Sequence, residues 1–352
     1  MGLHGGGPGE GRPVCPAPVG GDAAEPRCIA TASSLPCSMP TDPDSGRLTR
    51  RAFLAAASAV AAAVPLRGRQ PRPVRLGGPI FLKSDDPGEL AREHRRLGYS
   101  AAYCPASAAA DSDRIRAIRT AFEAERVVIA EVGAWRNMLD PDPEKRTENL
   151  RFVTERLALA DAVGARCCVD IAGSYNPTVW YGADPRNLSD EFFEATVANC
   201  RTVIDAVKPR ATTFAIEMMG WSVPDGPDAY LKLIRAVDRP AFAVHMDVCN
   251  GINSPTRFYR NAEFITDCFA KLGKWIVSCH AKDLAWVPEY NIHFREVVPG
   301  RGQIDYPTYL REIAKLPVDA PLMLEHLQTA EEYLEGRDHI RSVGARIGVT
   351  FA

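Results

Sequence analysis

From Val74 onward the chain repeats one alternation eight times: a short apolar run, then a longer stretch with helical periodicity. The runs are RLGGPIFL (75–82), YSAAYCP (99–105), RVVIAEVGAW (126–135), ARCCVDIAG (165–173), TTFAIEMM (212–219), FAVHMDVCN (242–250), WIVSCHAKD (275–283) and PLMLEHL (321–327). Apolar runs of this length, bounded by turn residues, read as strands buried on both faces. The amphipathic stretches between them are 86–97, 111–126, 146–164, 189–209, 226–238, 255–273, 306–315 and 329–346. Asp86 followed by Pro87 is a helix start, Gly164 is a helix stop, and Phe193, Val197 and Ile204 share one helix face. Eight such units in about 280 residues predict a (β/α)8 TIM barrel, one domain over residues 72–352. A doubly wound sheet would need a glycine-rich first turn of GxGxxG type, and RLGGPIF lacks that spacing.

Two features bound the partners. The formal charge of −2 offers no basic field for a nucleic-acid backbone. The 10 cysteines include no CxxC pair, and the adjacent Cys167 and Cys168 cannot both face one way on a strand, which argues against a disulfide framework or a thiolate zinc site. Residues 1–46 are rich in Gly, Pro and small polar residues without periodicity and read as a disordered extension. Residues 47–70 carry Arg50 and Arg51, then Phe53 and Leu54, then an Ala/Val run to Val64. That run is too short and too weakly apolar for a stable membrane span. The segment resembles a twin-arginine export signal with a cleavage site at Ala61-Ala62-Ala63, which implies a periplasmic or extracellular protein. Met39 would give the signal a more usual length.

A barrel sets its chemistry at the carboxyl ends of its strands. The fifth run ends near Glu217, the sixth at Asp247, the seventh at His280 and the eighth at Glu325. Three carboxylates converging on one mouth repel unless a cation lies between them. With one imidazole added, the set suits one divalent metal ion that prefers oxygen, Mn2+, Mg2+ or Co2+, with Zn2+ in a lower-coordinate site as the alternative. Residues two apart on a strand share a face, so Lys282 follows His280 toward the axis, where its charge suits a substrate oxygen or a developing oxyanion. Asp283 faces the other way and braces the following loop. His245 lies one layer below Asp247, either as the partner of a metal ligand or as a hydrogen-bonded core histidine. Asn250 stands where it can bind a substrate hydroxyl. His293 and Arg295 belong to the long segment 284–305, a lid or substrate wall. Glu131 and Asp170 are candidates for substrate contact, and Trp135, Tyr175, Trp180 and Tyr181 offer aromatic faces for a sugar ring. His326 is expected to face the helices.

The Glu–Asp–His–Glu series, with HMDVCN, CHAKD, PGRGQIDY and LMLEH around it, resembles the xylose isomerase-like barrels over residues 74–350. Within them it is most similar to the sugar phosphate isomerase/epimerase branch of ketose 3-epimerases, hydroxypyruvate isomerases and inosose dehydratases. The resemblance implies Glu217, Asp247, His280 and Glu325 as metal ligands. It also implies Glu217 and Glu325 as the acid/base pair that moves a proton on opposite sides of a cis-enediolate. The chemistry is sound in itself: a metal chelating a carbonyl and its neighbouring hydroxyl stabilises that charge, and flanking carboxylates remove and return the proton. Ketose 3-epimerases carry a His where this chain has Asn250 and an Arg where it has Trp286, so the resemblance stops short of a ketohexose 3-epimerase.

The expected function is therefore a divalent-metal-dependent isomerase or epimerase of a non-phosphorylated sugar or keto-sugar, since an exported enzyme rarely meets sugar phosphates. The alternative is a metal-dependent lyase or dehydratase acting on a keto-sugar, keto-glycoside or inosose. An endonuclease IV-like enzyme would need histidines on the second and third runs, which have none, and an Asp where Asn291 stands. A sugar-binding protein with a relict site is opposed by the intact ligand set. The expected partner is a small sugar, not nucleic acid, and no face marks an interface, which leaves a homo-oligomer open.

Overall fold

Strands β1 (Leu76–Gly77), β2 (Ala101–Tyr103), β3 (Val128–Gly133), β4 (Cys167–Asp170), β5 (Thr213–Glu217), β6 (Phe242–Met246), β7 (Ile276–Ala281) and β10 (Leu322–Leu324) pair in parallel and close into a barrel. This computed structural model describes residues 71–106 and 111–352. The extension 1–46 and the twin-arginine segment 47–70 lie outside the described residues. The surrounding helices are α1 (Pro87–Arg96), α2 (Ser112–Ala124), α3 (Pro143–Val163), α4 (Asp190–Val207), α5 (Pro227–Val237), α6 (Pro255–Tyr259), α7 (Asn261–Leu272), α8 (Tyr306–Lys315) and α9 (Ala330–Ile347). Asp86 caps α1 by accepting a hydrogen bond from Gly88 N at 2.8 Å, and Gly164 ends α3 in the left-handed region at φ 75°. No helix among the described residues is long and apolar enough to cross a membrane.

Three elements differ from the sequence expectation. The first run yields only two strand residues, because Pro79 has no N–H to donate to a ladder. The stretch 255–273 is two helices, since Arg260 leaves the helical region at φ −114°, ψ 35°. The eighth apolar run becomes the tenth strand because 284–305 contains an antiparallel hairpin, β8 (Asp283–Trp286) with β9 (Phe294–Val297).

The main core lies between strands and helices. Inside the barrel, small layers form from Ala101, Ala130 and Met323 and from Cys167, Val169, Ala215 and Ala243. Helix-borne tyrosines fix the strand ends: Tyr230 Oη donates to Ile216 O and Ala243 O, and Tyr309 Oη donates to Met246 O and His280 O.

Two slips of register decide which side chains face the axis. β2–β3 pairing jumps from Ala102–Ile129 to Tyr103–Glu131, and β6–β7 pairing jumps from Val244–Ile276 to His245–Ser278. Each slip leaves one extra residue, Ala130 or Val277, and inverts the parity beyond it. Ala130 and Glu131 therefore both reach the interior, as do Val277 and Ser278.

The hairpin is tied to the barrel by Asp283. Its Oδ1 accepts from Leu284 N and Ile304 N, both at 2.9 Å, and its Oδ2 from Gly300 N at 2.8 Å and Gly302 N at 3.1 Å. Gly300 is required in this turn, with φ +100° and His339 where a side chain would go. Asp283→Ala strands these donors and is expected to cost at least about 2 kcal/mol of stability in urea unfolding. A loss under about 0.5 kcal/mol, the level of an ordinary surface substitution, would show that water replaces the carboxylate.

Candidate active site

The ends of β5, β6, β7 and β10 bring Glu217, Asp247, His280 and Glu325 together, each offering one donor atom within 4.8 Å of the others. His280 Nδ1 lies 2.8 Å from Glu217 Oε1, 2.9 Å from Glu325 Oε2 and 3.5 Å from Asp247 Oδ2. Lys282, with a side chain only 2% exposed, brings Nζ to 2.9 Å from both Asp247 Oδ2 and Glu325 Oε2 and to 3.9 Å from Glu217 Oε1. Asn250 donates its N–H to Asp247 Oδ1 at 3.0 Å and accepts from Lys282 Nζ at 3.3 Å.

Electrostatics drive the groups of this cluster apart. Burial raises Glu217 more than Lys282 and His280 lower it. Burial also opposes ionisation of Asp247, but Lys282 and His280 outweigh it and hold that carboxyl well below the usual range. Burial is likewise overcome at Glu325, which His280 and Lys282 bring down to about 2. Burial disfavours charge on His280 and on Lys282, yet the surrounding carboxylates hold both well above their ordinary values.

The donor set fits a divalent cation. Asp247 Oδ2 and Glu325 Oε2 are buried, with Lys282 Nζ 2.9 Å from each and His280 Nδ1 3.5 and 2.9 Å away. The positive charge that three converging carboxylates require comes here from the ammonium and a histidine proton, and an ion held by His280 and these carboxylates would take the place of that proton. Three carboxylates and one imidazole are an oxygen-rich set suited to Mg2+, Mn2+ or Co2+.

Below the cluster, His245 Nε2 lies 3.0 Å from Glu131 Oε1, and Ser278 Oγ donates to the same oxygen at 2.7 Å. Glu131 Oε2 is 3.2 Å from His280 Nε2. Glu131 is 1% exposed and sits beneath His280, away from the mouth where a substrate would enter. Asp170 is buried too, accepting from Arg136 N and Ile171 N, so it braces the loop after β3.

The rim differs from its sequence reading in several places. Of the four aromatics, Trp135 reaches the cluster: its ring centroid is 6.4 Å from that of His280, and its backbone is left-handed at φ 44°. A side chain at Gly133 would collide with the Trp135 indole, so glycine there makes the packing feasible. Trp180 and Tyr181 pack edge-on against each other and are exposed, while Tyr175 packs against Phe192. His293 pairs with Glu289 at 3.6 Å on the hairpin. Arg295 alternates with Glu296 along β9, and it is Glu296 that approaches Lys282, at 3.8 Å. His326 does not face the helices. Strand geometry ends at Leu324, and a positive φ of 60° swings His326 back, with Nδ1 2.9 Å from Glu296 Oε2 and Nε2 3.6 Å from Glu325 Oε1. Tyr103, which no sequence argument singled out, donates to Leu324 O at 3.1 Å and feels the charges of His280, Glu131 and Glu325. Its only signal was an aromatic at the end of the second run.

Known structures of the same fold are recognised at low identity. Endonuclease IV from Thermus thermophilus matches with a TM-score of 0.58 and 15% identity, over 77% of this chain and 99% of its own. The 3-keto-D-glucoside 4-epimerase YcjR from E. coli matches with a TM-score of 0.55 and 13% identity, over 76% of this chain and 99% of its own. A xylose isomerase-like TIM barrel protein from Mycobacterium smegmatis, solved in complex with magnesium, matches with a TM-score of 0.53 and 17% identity, over 79% of this chain and 98% of its own. No curated protein sequence is detectably similar. Residues 91–343 match the xylose isomerase-like TIM barrel family, and the chain belongs to it.

Proposed function

We propose that this protein is a divalent-metal-dependent isomerase or epimerase that moves a proton at a carbon next to the carbonyl of a non-phosphorylated sugar or keto-sugar. The observation that carries the reading is the approach of Glu217 and Glu325 to one atom, His280 Nδ1, from strands on either side of β7. Two carboxylates so placed flank whatever binds between them, one able to take a proton and the other to return one. Glu217, Asp247, His280 and Glu325 would hold the ion, which as a Lewis acid polarises a carbonyl and its adjacent hydroxyl. Lys282 stands beside the same oxygens and neutralises charge developing on the substrate. Asn250 offers its amide to a hydroxyl, and the Trp135 ring forms a wall.

Substrate class follows from charge as well as from the export-like N-terminal segment. Lys282 is already surrounded by Asp247, Glu217, Glu325 and Glu296, which leaves little positive potential for a phosphate. The magnesium bound by the mycobacterial relative and the keto-glycoside chemistry of the E. coli epimerase agree with this reading.

The test is exchange in D2O. Protein loaded with Mg2+, Mn2+ or Co2+ is incubated with ketoses, keto-glycosides and inososes and followed by NMR. Deuterium is expected at a carbon next to a carbonyl, with a new stereoisomer or ketose accumulating. Loss of a β-substituent instead would make the enzyme a lyase, and no exchange despite bound metal would leave a binding protein.

A further inference from the structure

We propose that Glu131, from the opposite half of the barrel, is a positioning residue that holds His280 with its Nδ1 lone pair aimed at Glu217, Asp247 and Glu325. This rests on the metal-dependent reading above. A neutral imidazole has one lone pair and one N–H, so the group facing one nitrogen decides what the other can do. His280 Nε2 is 3.2 Å from Glu131 Oε2, and a carboxylate can only accept there. The proton is thereby kept on Nε2 and the lone pair on Nδ1, the atom shared by the three carboxylates above.

Glu131 is itself held. Ser278 Oγ donates to Oε1 at 2.7 Å, and His245 Nε2 meets the same oxygen at 3.0 Å. The His245 and His280 rings meet edge to face with centroids 4.1 Å apart, so neither can turn without displacing the other. His245 turns Nε2 to this contact and leaves its buried Nδ1 without a partner. An unpaired buried nitrogen is unfavourable, and its retention fits a network arranged around Glu131.

Glu131, His245 and His280 also lie close enough together to suggest a second ion below the first. His280 cannot serve both sites as a neutral ring. Two ions would require it to lose both protons, whereas one ion with Nε2–H donated to Glu131 needs no such species. A carboxylate behind a ligating histidine orients the ring and raises its basicity, and losing one lowers metal affinity about 10- to 100-fold.

Glu131→Gln keeps the shape and removes the charge. Two measurements avoid turnover altogether: Mn2+ affinity and stoichiometry by EPR titration, and the 15N shifts of the His280 ring in Mg2+-loaded protein. The wild type is expected to bind one Mn2+ and to carry its His280 proton on Nε2. The variant is expected to bind about 10- to 100-fold more weakly, with the Nε2–H 15N resonance shifted by loss of its charged acceptor. Glu131→Asp should fall between the two. Equal affinity within twofold and an unchanged Nε2–H shift in folded Glu131→Gln would overturn the inference while leaving the metal-dependent reading intact. Two Mn2+ per wild-type chain would overturn it as well. No binding by wild type would overturn both. Should Glu131→Gln not fold, Ser278→Ala removes one of the two contacts that hold Glu131 Oε1 and decides alone: a several-fold loss of affinity supports the inference, and none overturns it.

Discussion

Glu325→Gln is expected to lower turnover by about 10²- to 10⁴-fold, the usual weight of a positioned acid or base. The glutamine still presents an oxygen toward His280 and the cation position, so most of the loss falls on proton transfer. Glu325 is suited to the role because His280 and Lys282 keep it ionised, down to about 2, despite burial. Burial raises Glu217, which the same histidine meets from the other side, in the metal-free site. The measurement is a pair of rates on the substrate found by D2O exchange: wash-in of deuterium to remaining substrate, and formation of product. Of Glu325→Gln and Glu217→Gln, one should retain wash-in while product formation stops. Turnover of Glu325→Gln within tenfold of wild type would remove it from the chemistry.

Lys282→Met is expected to destabilise the metal-free protein by about 3–5 kcal/mol, the cost of leaving buried charges without their partner. Methionine matches the lysine stem in length and flexibility, so packing changes little. What changes is that Asp247 and Glu325 lose the ammonium 2.9 Å away, with Glu217 beside them. Chelator-treated protein should melt roughly ten degrees lower, and saturating Mg2+ or Mn2+ should restore most of the difference, because the ion supplies the missing charge. An equal loss with and without metal would mean that Lys282 acts through packing alone. Retention of full stability would mean that water screens the cluster.

The barrel and its four convergent residues were legible in the chain because both rest on short-range rules. Alternation of apolar runs with amphipathic stretches depends on neighbours along the sequence, and ionisable groups ending four apolar runs stand out without any knowledge of contacts. The same rules misled where backbone geometry departs from the ideal. His326 follows Glu325, and strand parity sends it outward, but the strand has already ended at Leu324 and a left-handed residue reverses the direction. Arg295 and Glu296 were indistinguishable until the hairpin fixed which one faces Lys282. Trp180 is as aromatic as Trp135, and only the tight backbone at Gly133 brings the second against His280.

Sequence by itself determined the architecture, the mouth at which chemistry is set and the residue types gathered there, since periodicity and chain order suffice to close eight parallel strands. Tertiary structure alone decided the depth and direction of each group. The register slips at Ala130 and Val277 turn Glu131 and Ser278 inward beneath His280. A slip of one residue inverts every side chain beyond it, and it is set by how neighbouring strands pack around the axis, which no local pattern records.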